Sequence, residues 1–400
     1  MNEYLQKMEL NIKIAHVRAF FLSLFFFMPI WYIFETQFVS PDQLSLIYAV
    51  THLVIIFLEL PTGAFADLVG RKKSVAIGLF LNGLAWIYIS QSKDSGWLWR
   101  GYFLTAIGDA LVSGADVALN FDSLKELKRE KEFARFSSKQ SIIFRAGMIM
   151  ATLAGGYIYE MNKPLPYILV GISTVIGSLL TLFFCTEPKI DTERFNLKSY
   201  IKQIKVGVKQ LTKNEYMKDF SIYYIFLGGI TWYFVYFLNQ VFATEIGFTI
   251  QERSWLFSSI FLIIAFLLYG AIHYTSMERG KVYIALPVLM IIGFLPGYWA
   301  DKSLAIVSIF LVQFASMARF SILGQYSNQE FESKYRATAI SALNMAVSVV
   351  FAIIAVIGGK IVTNYGSGMM MTLLGILSFL IMLPVTNTIF KSQSRRLEKV

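Results

Sequence analysis

Apolar residues along this chain fall in long blocks, and the polar residues collect in the short gaps between them. Twelve blocks can be drawn, at roughly 14–36, 44–66, 73–91, 97–119, 140–160, 165–186, 218–240, 253–275, 281–299, 303–326, 337–360 and 367–390. A helix of about 20 residues, rising 1.5 Å per residue, crosses a hydrocarbon core about 30 Å thick. The pattern therefore predicts an all-α membrane protein with twelve transmembrane helices. It changes at 190–217, which is polar and basic. There Ile201, Ile204, Val208 and Leu211 share one helical face, and Lys202, Lys205 and Lys209 fall off it. That stretch predicts an amphipathic helix on the inner membrane surface, linking a six-helix half at 1–189 to another at 218–400.

Composition agrees with this reading. The chain has 400 residues, 56% hydrophobic and 16% charged, against about 45–50% and about 25% in soluble domains. The net charge of +10 would suit a nucleic-acid binder if it were gathered on one surface. Instead the basic residues sit in short clusters between apolar blocks, which is a topology signal, so no nucleic-acid partner is expected. Most of the Lys and Arg lie inside when both termini are cytoplasmic. The expectation is a multi-pass protein of the cell membrane whose first block is retained as a helix and not cleaved as a signal. Lys7, Lys13 and Arg18 then act as a cytoplasmic anchor.

Catalytic chemistry is not indicated. The single cysteine, Cys185, excludes an intrachain disulfide and a cysteine-rich metal site. His16, His52 and His273 are scattered, and no phosphate-binding glycine loop or nucleophile triad is present. Neither an enzyme, a metal nor another cofactor is expected, and an ion gradient is the default energy source.

The segment between the second and third blocks, Glu59 to Lys73, carries the most information. It reads ELPTGAFADLVGRKK, and Gly63, Asp67, Gly70, Arg71 and Lys72 follow the pattern G-x-x-x-D-x-x-G-R-K. This resembles the signature loop of the major facilitator superfamily of secondary transporters. The wider spacing of Glu59, Pro61, Asp67, Arg71 and Lys72 is similar to that of Gram-positive tetracycline-efflux members. The resemblance implies two pseudo-symmetric six-helix halves with a substrate path at their interface near the midplane, worked by alternating access. It also implies that the Asp67–Arg71 loop latches the cytoplasmic side, and that the protein is a monomer. The stretch Met277–Lys281 reads as a worn copy of this loop, and Arg336, Ala337 and Thr338 resemble the family's entry to its eleventh helix.

Within the fourth block Thr105, Asp109, Ser113, Asp116 and Asn120 recur at steps of 4, 4, 3 and 4, and so share one face. A polar stripe on a membrane helix turns toward a neighbour or a water-filled cavity. Asp109, near the middle, is the first candidate proton carrier, ahead of Glu59 and Asp116. In the fifth block Arg145 needs an acid, and Asp116 and Glu59 lie at comparable depth, so an Arg145–Asp116 or Arg145–Glu59 pair is expected. Gly147, Ala151, Thr152, Gly155 and Gly156 of that block resemble a degraded form of the family's antiporter motif. Their alternative reading is ordinary small-residue packing. Arg100, near the outer end of its block, reads as an interfacial anchor.

In the second half Arg319 is a further candidate for the ion-pair network. Trp232, Tyr236 and Asn239, which follow Gly228 and Gly229, and Gln313 and Asn344 from later blocks are candidate substrate contacts. An aromatic interior with few fixed charges suits amphipathic small molecules. The expected function is proton-coupled efflux of such molecules or drugs. The alternatives are a proton-coupled symporter importing a nutrient or organic anion, which Arg145 and Arg319 keep open, and a transport-dead sensor or scaffold.

Overall fold

The computed structural model describes residues 3–189, 205–274, 278–332 and 335–397, and no strand occurs among them. The helices are α1 (Glu3–Leu22), α2 (Trp31–Glu35), α3 (Pro41–Val69), α4 (Arg71–Ser90), α5 (Ser95–Glu126), α6 (Phe133–Met161) and α7 (Leu165–Phe184). They continue with α8 (205–211), α9 (Glu215–Tyr233), α10 (Asn239–Glu245), α11 (Ile250–Tyr274) and α12 (Arg279–Phe294). α13 (Lys302–Ala318), α14 (Gly324–Glu330) and α15 (Arg336–Leu397) complete the chain. Among the described residues, ten stretches are long and apolar enough to cross a membrane. The last of these, Thr338–Arg396, is divided at Gly366 and supplies two of the predicted spans. The predicted linker at 190–217 falls largely on 190–204, outside the described residues.

The helices gather into two compact units. One comprises Met1–Val39, Val50–Asn196 and Ile250–Ser259, and the other Ser40–Ala49, Leu197–Thr249 and Ile260–Val400. Thus the first turns of α3 pack with the second unit: Ser45 Oγ donates to Ala355 O at 2.7 Å. The first turns of α11 pack with the first unit, where Ser258 Oγ donates to Ile149 O at 3.2 Å.

Helix starts follow local chemistry. Asp94, Asn214 and Asp301 each sit in extended backbone and accept from the amide three residues on, Trp97, Met217 and Leu304, at 2.8–3.1 Å. Two breaks instead use glycine with positive φ and a distant carboxylate. Gly70 (φ 102°) separates α3 from α4, and Gly366 (φ 84°) divides α15. After Gly70, the amides of Arg71 and Lys72 donate to the two oxygens of Glu187, both at 2.8 Å. After Gly366, the amide and hydroxyl of Ser367 donate to Glu245 Oε2, both at 2.6 Å. A carboxylate placed there satisfies open helix amides and the positive end of the dipole.

α3 runs through Pro61 to Val69, and Gly70 ends it inside the gap between the second and third blocks. One element differs from those expected. The first block is not one helix: α1 ends at Leu22, and residues 23–30 form successive turns before α2. Their amides bond two or three residues back, as in Phe25 N to Ser23 O and Met28 N to Phe25 O. Pro29 has no amide to continue a helix. The opened backbone is accommodated by α6. A Cβ at Gly155 would lie 2.0 Å from the Phe26 carbonyl oxygen, and one at Gly147 would lie 2.0 Å from Ser23 Oγ. Gly155→Ala is therefore expected to destabilise the protein by about 1–3 kcal/mol, toward the upper end because the obstacle is backbone. Thermal unfolding of the purified protein checks it, and an unchanged transition would refute the close contact.

Candidate functional site

The polar stripe of α5 is positioned by close packing against α4. A Cβ at Gly78 or at Gly108 would lie 2.7 Å from the other's carbonyl oxygen, so these helices meet backbone to backbone. That contact brings Asn82 of α4 beside Asp109, and Asn82 Nδ2 donates to Asp109 Oδ1 at 2.6 Å. Asp109 otherwise lies on an exposed part of the first unit, and no cation pairs with it among the described residues. One turn on, Ser113 Oγ donates to Glu59 Oε1 of α3 at 3.3 Å, and Thr62 Oγ1 donates to Ala110 O at 2.9 Å. Thr105 closes on its own helix, donating to Tyr102 O at 2.8 Å.

Asp116 does not pair with Arg145. Its partner is Arg18 of α1, whose Nη2 donates to Asp116 Oδ1 while Nη1 donates to Thr181 Oγ1 at 2.9 Å. Asn120 Nδ2 completes the cluster at 3.3 Å from Asp116 Oδ1. Arg18 is 1% exposed, so the residue expected as a surface anchor is instead a core cation held between three helices. Glu59 does not take Arg145 either. Arg145 is half-buried, with no acidic partner among the described residues, and it faces the same cavity as the Arg18–Asp116 pair. That cavity, about 520 Å³, is lined also by Ser137, Gln140, Ser141 and Phe144 of α6. It holds one neutralised pair and one guanidinium open to a ligand or to water.

The signature loop is held from two sides. Arg71 pairs with Asp122 near the end of α5 and donates to Ala118 O at 3.4 Å. Glu187, beyond α7, caps the amides of Arg71 and Lys72. Gly63 is exposed with open space where a Cβ would stand, and the Asp67 side chain lies outside the described residues. The second unit repeats the arrangement. Arg279 donates to Glu330 Oε1 at 2.6 Å, and the two are as far apart along the chain as Arg71 and Asp122. Arg396 donates to the other oxygen of Glu330 at 2.7 Å. The worn copy thus keeps an acid–base clasp while losing the aspartate.

The small residues of α6 serve different neighbours. Gly147 and Gly155 meet the opened segment after α1, and Gly156 meets Ser254 of α11, where a Cβ would lie 2.3 Å from Oγ. Ala151 and Thr152 are fully buried. Sequence reading missed one buried acid altogether. Glu35 of α2 is 0% exposed and accepts from the hydroxyls of Tyr102 at 2.7 Å and Tyr167 at 2.5 Å. Its only signal was a carboxylate at the end of an aromatic block.

In the second unit two single π-helical turns interrupt the expected spans, Phe234–Leu238 and Arg319–Leu323. Trp232, at the end of α9, stacks on Phe320 with centroids 5.9 Å apart and meets Tyr236 edge-on at 5.7 Å. Arg319 is 0% exposed and lies over the rings of Tyr224, Trp232 and Phe320. It joins no ion-pair network among the described residues. Asn239 and Gln313 are buried, and the side-chain oxygens of Gln313 and Asn344 have no donor there.

Three comparisons bear on this arrangement. The Major Facilitator Superfamily profile matches residues 17–273. The chain is 23% identical over 368 residues to the uncharacterized MFS-type transporter YxaM of Bacillus subtilis (strain 168), covering 89% of this chain and 90% of that protein. It is 26% identical over 165 residues, 40% of each chain, to the class H tetracycline resistance protein of Pasteurella multocida. Its fold superimposes on the crystal structure of a mutant of the nucleoside transporter NupG with a TM-score of 0.79. That match covers 95% of this chain and 99% of that one at 16% identity, and is a likeness of fold.

Proposed function

The chain belongs to the major facilitator superfamily, and from that premise we propose that it is a proton-coupled efflux antiporter for amphipathic small molecules. It works by alternating access as a monomer in the cell membrane, with both termini cytoplasmic. The observation that carries this reading is Asp109, a carboxylate within a membrane-spanning helix whose one hydrogen-bond donor among the described residues is the neutral Asn82. A carboxylate so placed has no fixed cation among the described residues to hold it ionised, and binding a proton removes the charge that a closed, drier state disfavours. Glu59, bonded to Ser113, is the second acid of the same kind. Asp116, already neutralised by Arg18, is better suited to structure than to carrying protons. The loop around Gly63, Asp67, Gly70, Arg71 and Lys72 acts as the latch, and its release shifts the conformational balance without touching the substrate.

Export over import is supported by the similarity to the tetracycline resistance protein and by the tetracycline-efflux-like spacing from Glu59 to Lys72. One observation favours the rival, uptake of an organic anion: Arg145 faces the first-unit cavity with no acid to neutralise it among the described residues. Cells expressing the protein decide between them. With tetracycline as the probe, the expected result is lower accumulation than in control cells, abolished by a protonophore. Higher accumulation that the protonophore abolishes would establish the import reading instead.

A further inference from the structure

We propose that Arg319 recognises an anion, and that the molecules this protein carries bear a carboxylate or similar acid on a flat apolar body. The inference rests on the reading of the chain as a carrier of amphipathic small molecules, and narrows their chemistry. Arg319 opens the π turn Arg319–Leu323 within the membrane-crossing stretch Lys302–Glu330 and is 0% exposed. Its Nε, Nη1 and Nη2 have no acceptor, and no acid pairs with it, among the described residues. What surrounds it is aromatic. The guanidinium carbon lies 4.1 Å from the centroid of Phe320, 4.7 Å from Tyr224 and 5.3 Å from Trp232.

Ring faces attract a cation but accept none of its hydrogen bonds in the plane of the fork. An arginine buried in a membrane span without a counter-ion is costly, and such residues mark substrate or ion paths. The missing partner is therefore an anion that comes and goes. A planar guanidinium matches the two oxygens of a carboxylate, which takes two parallel hydrogen bonds.

The cover over this group is thin. Phe320 and Tyr236 are 47% and 41% exposed, so the aromatic cluster is buried on one side and open on the other. On the inner side Gly228 has no side chain, and a Cβ there would lie 3.0 Å from Nη1. Both π turns of the second unit adjoin the cluster, Arg319 and Phe320 standing in one and Tyr236 in the other. Single π turns inside α-helices are frequent at functional sites. Turning Phe320 aside uncovers the guanidinium beside the face of Trp232, so a flat apolar body stacks there while its acid meets Arg319.

The test is direct binding of 1-pyrenebutyric acid and its methyl ester to the purified full chain, read by quenching of tryptophan fluorescence with no proton gradient. The wild type is expected to bind the acid about tenfold or more tighter than the ester, the range of a charged hydrogen bond. In Arg319→Gln the ratio falls to about one, and in Arg319→Lys, which keeps the charge but loses the fork, to an intermediate value. A ratio taken within one variant does not depend on the fraction folded, and Arg319→Lys serves if Arg319→Gln does not fold. Equal affinities in the wild type overturn the proposal. So does a preference unchanged in both variants, which would assign the guanidinium to aromatic packing alone. Because no gradient is applied, failure of proton-driven export leaves this result standing, and loss of the acid preference leaves export standing.

Discussion

Arg18→Met is expected to destabilise the protein by about 3–5 kcal/mol, seen as a large fall in the melting temperature of the purified protein. The guanidinium is 1% exposed and is bonded to Asp116 and to Thr181, tying α1 to α5 and α7. Without it Asp116 keeps, among the described residues, only Asn120, at 3.3 Å, to face the low-dielectric interior. The Asp116 side chain is 25% exposed toward the cavity, so water relieves part of its penalty and the cost lies toward the lower end of that range. Asp116→Asn is the more damaging change, because it strands the fully buried cation. Replacing both, Arg18→Met with Asp116→Leu, is expected to recover most of the loss, since buried ion pairs seldom outweigh a packed apolar pair. A double-mutant cycle measures the coupling. Additive single effects would mean that the two charges do not depend on one another.

Asp109→Asn is expected to reduce gradient-driven efflux to the level of cells lacking the protein. The substitution preserves volume and keeps an oxygen to accept from Asn82, so stability should change by no more than about 0.5 kcal/mol. What it removes is the ability to bind and release a proton in the membrane. Exchange of substrate across the membrane without net flow should survive, because it needs the two conformations and the substrate site but no proton. Loss of exchange together with efflux would instead make Asp109 a substrate contact.

Much of the fold is legible in the sequence because bilayer thickness imposes one length on every crossing helix. The α5 stripe is legible for the same reason: five polar residues on one face cannot all meet lipid. What the pattern could not show is which helix answers which residue. Arg18 lies near the end of a basic anchor-like segment, and only the fold brings it to Asp116 while leaving Arg145 facing the cavity. Glu187 likewise gives no local sign that it caps α4. The opened segment at 23–30 was hidden in an aromatic run whose hydropathy matches a helix, with Pro29 its one clue. A π turn inserts one residue without altering hydropathy, so the turns holding Tyr236 and Arg319 leave no trace in a periodicity count.

The most direct measurement of the central claim is proton movement in proteoliposomes carrying an internal pH-sensitive dye and a tetracycline gradient. The account predicts that wild-type protein moves protons opposite to tetracycline and that Asp109→Asn moves none. Protons moving in the same direction as tetracycline, or moving undiminished in Asp109→Asn, would contradict it.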